Sequence, residues 1–414
     1  LITVMYTSQR GYTQGLSPCF IGVIAGVCMI LIGKTGFVVK RLRATGATTI
    51  PEAIEKKFGS RVRWWSGLFI ALGGILNMGV FLRVSGEFIL VFTGIDVDKK
   101  IFATEGFKGL GVLELSMTAL LLLGLIYTSS GGMLSVLVTD LIQFLVMGSG
   151  VVVVTILCFT KHSWTEVVNK VVAVHGPGGL NPFVRDWGAL YFLFILVFKF
   201  VGLCVWQTQI SRVLSAKDEA TAAKMYNWAG FYSIGRWALP VTWGVFALLI
   251  VTPAQFPLDD PQSSMRATPA ALALIVPGWL AGFVLAAMLS AQMSNDSGYL
   301  LSWATVIVRD LVKPLRKNGL TPKGELRLTR WVIAAIGVFL LFFGLWYKLG
   351  ASLWDYLSVT GTIYMSSLGS LLIAGLYWKG ANKYGAYAAL FIGAFIPLAG
   401  LTYNQLIFQK IIPG

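Results

Sequence analysis

Apolar residues run in stretches of membrane length along almost the whole chain, and polar residues gather between them. A bilayer crossing takes about 20 apolar residues. By that measure nine complete spans lie near residues 18–39, 62–93, 111–130, 134–159, 187–212, 224–252, 278–309, 326–348 and 352–378, with a tenth candidate at 384–407. The segment before Ser17 is long enough for only half a span, and the ends at Leu1 and Gly414 both read as truncated. One span breaks the pattern: Ala291-Gln292-Met293-Ser294-Asn295-Asp296-Ser297 interrupts the apolar run from Ala281 to Val308. Ala291, Ser294, Asn295 and Gly298 recur at helical spacing and form one stripe. A polar group in lipid is costly unless it finds a partner, so the stripe must face protein, water or an ion. The pattern predicts an all-helical membrane protein that binds something small and charged in mid-bilayer.

Composition agrees: hydrophobic residues make up 56% of the chain and charged residues 12%, far from an ordinary soluble domain. The net charge of +15 raises the question of nucleic acid, but its distribution argues for a bilayer instead. Alternate loops (residues 40–63, 212–224, 309–330 and 379–383) carry 19 Lys and Arg against 9 in the others, Arg10 included. That asymmetry places 40–63 and 309–330 in the cytoplasm, with 160–186 and 251–270 outside. Contact with anionic lipid accounts for most of the remaining charge, and a multi-pass protein of the plasma membrane follows. Five cations are left within or near spans: Lys34, Arg83, Lys199, Arg236 and Lys410.

Cys19, Cys28, Cys158 and Cys204 show no metal or redox spacing and read as small membrane-core residues. His162 and His175 share one loop without a ligand cluster. No nucleophile elbow, metalloprotease motif or glycine-rich nucleotide loop appears, so an enzyme is not expected. Trp64, Trp65, Trp187, Trp279, Trp346 and Trp378 sit at span ends, where an aromatic belt explains them.

Four local patterns converge. Thr49-Ile50-Pro51-Glu52-Ala53-Ile54-Glu55-Lys56-Lys57-Phe58-Gly59 reads as a capped amphipathic helix with Pro51 in its first turn. Tyr127-Thr128-Ser129-Ser130-Gly131-Gly132-Met133 is a tight turn, followed by Val138-Thr139-Asp140-Leu141-Ile142-Gln143. Ser211-Arg212-Val213-Leu214-Ser215-Ala216-Lys217-Asp218 closes the 187–212 span, and the polar stripe continues to Arg309-Asp310-Leu311. In this order, and over about Leu1 to Ile407, they resemble the sodium/solute symporter family.

The resemblance implies one transmembrane transporter domain over 1–407, built on a leucine-transporter type of fold. Its five-plus-five inverted repeats would run from about 1 to 159 and from about 187 to 378, with an additional helix at 384–407. The first helix of each repeat would be broken at the midplane. In the second repeat Gly202 would mark the break; in the first, the half-helix before Ser17 would leave out the unwound carbonyls that normally meet the ion. Sodium would sit among the Ala291 carbonyl, Ser294 and Asn295, oxygen ligands that suit a hard cation. Ser297 and Asp140 would form a second position or an exit route. Two positions depart from the family pattern, Ser294-Asn295 where a Ser-Ser or Ser-Thr pair is usual, and Ser211-Arg212 where Gln-Arg is usual. Asn still offers an acceptor oxygen.

Bland alternatives stand beside these roles. Ser294 and Ser297 taken alone read as hydroxyls bonded back to their own helix. Asp140 lies about six residues into its span, roughly 9 Å at 1.5 Å per residue, where an ionisable group is a functional candidate. Asp296 points away from Ser294 and stays outside the ion site, while Arg83 and Glu87, four apart, read as a structural pair. Lys199 and Arg236 fall near the midpoints of their spans with no acid at helical spacing. Through the resemblance, Lys199, Gly202, Trp206, Gln207, Arg236 and Ser358 fall on substrate-lining helices. These residues predict a sodium-coupled symporter of a small solute, with an organic anion such as a monocarboxylate or acidic sugar favoured. A proton-coupled symporter of a neutral solute, with Asp140 as carrier, and a membrane sensor built on the same core are the alternatives. A channel is disfavoured for want of a filter motif or charged ring.

Overall fold

A computed structural model of the chain describes residues 1–101, 110–130, 133–184, 188–316 and 319–409. Gly131, Gly132, Trp187 and Lys410, named above, lie outside them. The helices are α1 (Ile2–Gln14), α2 (Cys19–Thr35), α3 (Val39–Ala44), α4 (Ile50–Phe58), α5 (Ser60–Met78), α6 (Phe81–Phe92), α7 (Val112–Ser130), α8 (Met133–Lys161) and α9 (Trp164–His175). Then come α10 (Gly188–Val205), α11 (Gln207–Leu214), α12 (Glu219–Ile250), α13 (Pro261–Ile275), α14 (Gly278–Val306), α15 (Pro322–Trp346), α16 (Leu353–Tyr377) and α17 (Lys383–Phe408). A two-stranded hairpin, β1 (Lys100–Ile101) with β2 (Leu110–Gly111), is the one sheet among the described residues. Eight stretches there are long and apolar enough to cross a membrane, α5 and α6 counting together.

Local chemistry sets the helix ends. Thr49 Oγ1 accepts from the Glu52 amide at 3.2 Å to start α4, as the Thr-Ile-Pro-Glu run predicts. Ser163 and Glu166 form a reciprocal capping box on α9, a signal that the apolar pattern of the 160–186 loop did not reveal. The 62–93 span divides into α5 and α6 at Gly79 and Val80. The 187–212 span also breaks, but at Trp206 rather than at Gly202. The Trp206 amide bonds the Gly202 carbonyl at 2.8 Å, so the helix runs through the glycine, and Trp206 itself is extended with φ −65° and ψ 104°. Gly202 serves packing instead, because a Cβ there would stand 3.0 Å from Met365 Sδ on α16.

The packing carries an internal exchange symmetry. Pair α1, α2, α5/α6, α7 and α8 in order with α10/α11, α12, α14, α15 and α16. The α1–α12 contact then maps onto α10–α2, and the α8–α14 contact onto α16–α5. The α2–α12, α7–α15 and α5–α14 contacts map onto themselves, as an inverted repeat of five plus five elements requires. Glycines allow the closest of these crossings. A Cβ on Gly26 would meet the Gly230 carbonyl of α12 at 2.8 Å, and one on Gly230 the Gly26 carbonyl at 2.9 Å, the small-residue contact common between membrane helices.

The two ends of the bundle collect the loops that charge counting separates. At one end Arg63 Nε meets Asp310 at 2.8 Å and Arg43 donates to the Ala216 carbonyl at 2.7 Å. There too, Arg309 donates to Thr48 at 2.8 Å and Lys57 to the Lys379 carbonyl at 3.1 Å. All four basic loops therefore share one side. At the other end the Leu16 amide bonds Gly179 at 2.7 Å, and Tyr12 donates to the Phe256 carbonyl at 2.9 Å. Helix α13 is pinned there by buried polar contacts. Gln9 donates to the Pro261 carbonyl at 2.8 Å and to Ser264 at 3.1 Å, while accepting from the Leu353 amide at 3.2 Å. The Arg83–Glu87 pair forms at 3.1 Å, and Arg266 of α13 completes it at 2.9 Å from the other oxygen of Glu87.

Candidate functional site

Where the two halves meet, a cavity of about 850 Å³ is lined by α1, α2, α5, α6, α8, α10, α11, α12, α14 and α16. It brings together Lys199, Gly202, Trp206, Arg236 and Ser358 with Asp140, Ala291, Ser294 and Asn295. These residues come from five separate spans of the sequence, and the fold gives them one space.

Two of the candidate residues do not line it. Gln207 turns its Oε1 to the Ile50 amide at 3.3 Å, so as the first residue of α11 it ties the broken helix to α4. Its neighbours Trp206, Thr208 and Gln209 face the cavity instead, because the extended Trp206 resets the helical phase. Ser297 donates to the Ser294 carbonyl at 3.2 Å, the intrahelical bond that Ser commonly makes in membrane helices. Asp296 also faces away. Both of its oxygens lie 2.8 Å from Gln292 Nε2, whose Oε1 is 2.7 Å from Ser85 Oγ.

The stripe on α14 faces Asp140 of α8. Ser294 Oγ donates to Asp140 Oδ1 at 2.5 Å, and Arg212 Nη2 meets Asp140 Oδ2 at 2.7 Å. A carboxylate held by a guanidinium is a charge-assisted pair, so Arg212, which in the sequence only closes the 187–212 span, neutralises Asp140. Asn295 Nδ2 and Gln143 Oε1 line the same region without a hydrogen-bond partner among the described residues. The acceptor and donor ends of an amide exchange by a simple flip, so Asn295 can present an oxygen to a cation.

The opposite wall is cationic and aromatic. Lys199 Nζ stands 3.7 Å from the Trp237 ring centroid and 4.6 Å from that of Trp354. Arg236 Nη2 donates to Thr3 Oγ1 at 2.7 Å. Behind this wall, outside the cavity lining, Arg10 donates to Tyr191 Oη at 2.8 Å and to Gln14, with its guanidinium carbon 5.2 Å from the Trp354 ring centroid. No acidic side chain pairs with Lys199 or Arg236 among the described residues. Ser358 Oγ has no hydrogen-bond partner among the described residues, while Asn77 donates to the Leu357 carbonyl at 2.9 Å and to Thr360 at 2.8 Å. Asn77, Tyr6, Trp237 and Trp354 were not legible as site residues. Each sits in or at the edge of an apolar stretch, and only the crossing of helices brings it to the cavity.

The osmoregulated proline transporter of Bacillus subtilis is 24% identical over 90% of this chain and 72% of its own length. The sodium/glucose cotransporter of Vibrio parahaemolyticus is 25% identical over 98% of this chain and 76% of its own length. The structure of a Na⁺-coupled sialic acid symporter in a substrate-bound outward-open state superposes with a TM-score of 0.73, at 19% identity over 98% of this chain and 86% of that one. That likeness confirms the inverted-repeat fold drawn from the packing symmetry. The sodium:solute symporter family matches residues 4–393. With nearly its whole length matched and its halves packed as that architecture demands, the chain belongs to the sodium:solute symporter family and is a multi-pass, sodium-coupled symporter of a small solute.

Proposed function

We propose that the solute is a small organic anion, carried together with Na⁺ by alternating access through the cavity between the two repeats. The observation that carries this reading is the pair of cations, Lys199 and Arg236, on one cavity wall with no acidic partner among the described residues. Leaving two such charges uncompensated in a bilayer is expensive. A carboxylate entering the cavity supplies the missing charge, and the planar guanidinium of Arg236 suits it through two parallel hydrogen bonds. Trp206, whose ring centroid lies 5.9 and 5.5 Å from those of Tyr299 and Tyr364, offers the apolar part of the solute a surface. The unpartnered Ser358 hydroxyl offers a polar contact beside it. The structural neighbour carries sialic acid, an acid by name, whereas the relatives named above carry proline and glucose.

For Na⁺ the reading uses the Ala291 carbonyl, Ser294, Asn295 and Asp140, all oxygen donors of the kind a hard cation takes. Arg212 and the ion compete for the Asp140 carboxylate. Loading Na⁺ loosens the Arg212 pair, and release of Na⁺ toward the basic end restores it. The chain is read as a transporter without catalytic chemistry. Arg236→Gln tests the anion site: it should weaken affinity for a carboxylate solute by about tenfold, the scale of one charge-assisted contact. An unchanged affinity for the transported solute would remove Arg236 from the site.

A further inference from the structure

Lys199 is a cation surrounded by aromatic faces. Its Nζ lies 3.7 Å from the centroid of Trp237, 4.6 Å from that of Trp354 and 5.6 Å from that of Phe198, all inside the reach of a cation–π attraction. The two indoles meet at 82° with centroids 5.6 Å apart, so they make the walls of a corner and not a stack. Tyr6 closes that corner, 5.3 Å from Trp237 and 5.6 Å from Trp354. Trp237, Trp354 and Tyr6 are buried, and all of these side chains line the large cavity.

A corner of aromatic faces without a carboxylate is the surface that recognises a methylated ammonium ion, which keeps its charge and has no proton to donate. We propose that this corner is an organic-cation box filled by the chain's own Lys199 ammonium, which makes Lys199 the residue that excludes ammonium-bearing solutes from the cavity. Two effects act together. The lysine head occupies the space between the indoles, and its charge, with that of Arg236 in the same cavity, repels a second cation. Specificity of this kind comes from what the site rejects as much as from what it attracts. The inference rests on the cavity reading above and deepens it: the feature that admits an anion is also the one that bars an organic cation.

Calorimetric titration of the purified protein with tetramethylammonium tests the box directly. The protein and its Lys199→Arg variant should bind it only weakly, and equally so. Lys199→Ala should bind at least about tenfold more tightly than the unaltered protein, the factor that about 1.4 kcal/mol supplies. Lys199→Ser serves as a second opening of the box should Lys199→Ala fold poorly. Trp237→Leu placed on either variant should remove the gain. Binding no tighter in both variants than in the unaltered protein, or a gain that survives loss of Trp237, overturns the proposal. The anion reading fails separately. A cavity that carried neutral solutes would lose the uptake competition by carboxylates and still gain tetramethylammonium binding when Lys199 is removed.

Discussion

Arg212 and Asp140 form a 2.7 Å ion pair that joins α11 to α8, and the second oxygen of that carboxylate accepts from Ser294 of α14 at 2.5 Å. One acidic side chain thus links the half-helix below the Trp206 break to the polar stripe. Arg212→Gln removes the charge that neutralises Asp140. Half-saturating Na⁺ for uptake should fall about tenfold, the scale of one charge-assisted contact, and turnover should fall because the ion leaves more slowly. Initial rates in proteoliposomes against Na⁺ concentration measure both. A variant with unaltered Na⁺ dependence would take Arg212 out of ion handling.

Ser294→Ala deletes the hydroxyl that the stripe presents to Asp140. Half-saturating Na⁺ should rise by about tenfold, with Ser294→Thr retaining most of the affinity. The same rate measurements decide it, and uptake that keeps its Na⁺ dependence in Ser294→Ala contradicts the ion site.

Glu87 is buried between Arg83 and Arg266, at 3.1 and 2.9 Å, and through Arg266 it fastens α13 to α6. Glu87→Ala leaves two cations near each other without the carboxylate that joins them. The cost should be about 3 kcal/mol of stability, as for other broken buried pairs, and Arg266→Gln, which leaves the Arg83 pair in place, should cost less. Thermal unfolding in detergent checks the order, and equal melting of Glu87→Ala and the unaltered protein would discount the triad as a fastening.

Glu52 at the start of α4 accepts from Thr48 through both its amide at 2.7 Å and its hydroxyl at 2.6 Å. Partial burial raises its pKa, but the Thr48 bonds and the Arg63 and Arg309 charges outweigh that and leave it below the ordinary 4.5. A depressed carboxyl contributes stability that is present above the unfolded value and is lost as pH falls through the folded one. Docking of α4 should therefore loosen in acid below pH 4.5. Hydrogen exchange across residues 50–58 should report it, and Glu52→Gln should flatten that pH dependence; an equally steep profile in the variant would assign the effect elsewhere.

Much of this arrangement was legible in the sequence because apolar length and charge asymmetry are coarse signals that survive without contacts. They placed the spans, gathered the basic loops on one side and singled out the α14 stripe. The Arg83–Glu87 pair was legible too, since four residues on one helix fix its geometry, whereas Arg266 came from a distant element. The break moved from Gly202 to Trp206 because a glycine only permits a bend, and here its missing side chain makes room for Met365. Gln207 left the cavity through the change of helical phase at that break. Lys199 meets two indoles, Trp237 and Trp354, whose convergence depends on the crossing of α10, α12 and α16.

Uptake into proteoliposomes under an imposed Na⁺ gradient, challenged with a panel of competing solutes, tests the anion site most directly. Small carboxylates should compete, neutral sugars and polyols should not, and uptake should vanish when K⁺ replaces Na⁺. Competition by neutral sugars or polyols but not by carboxylates, together with full affinity in Arg236→Gln, would contradict the assignment of Lys199 and Arg236 as the anion's partners.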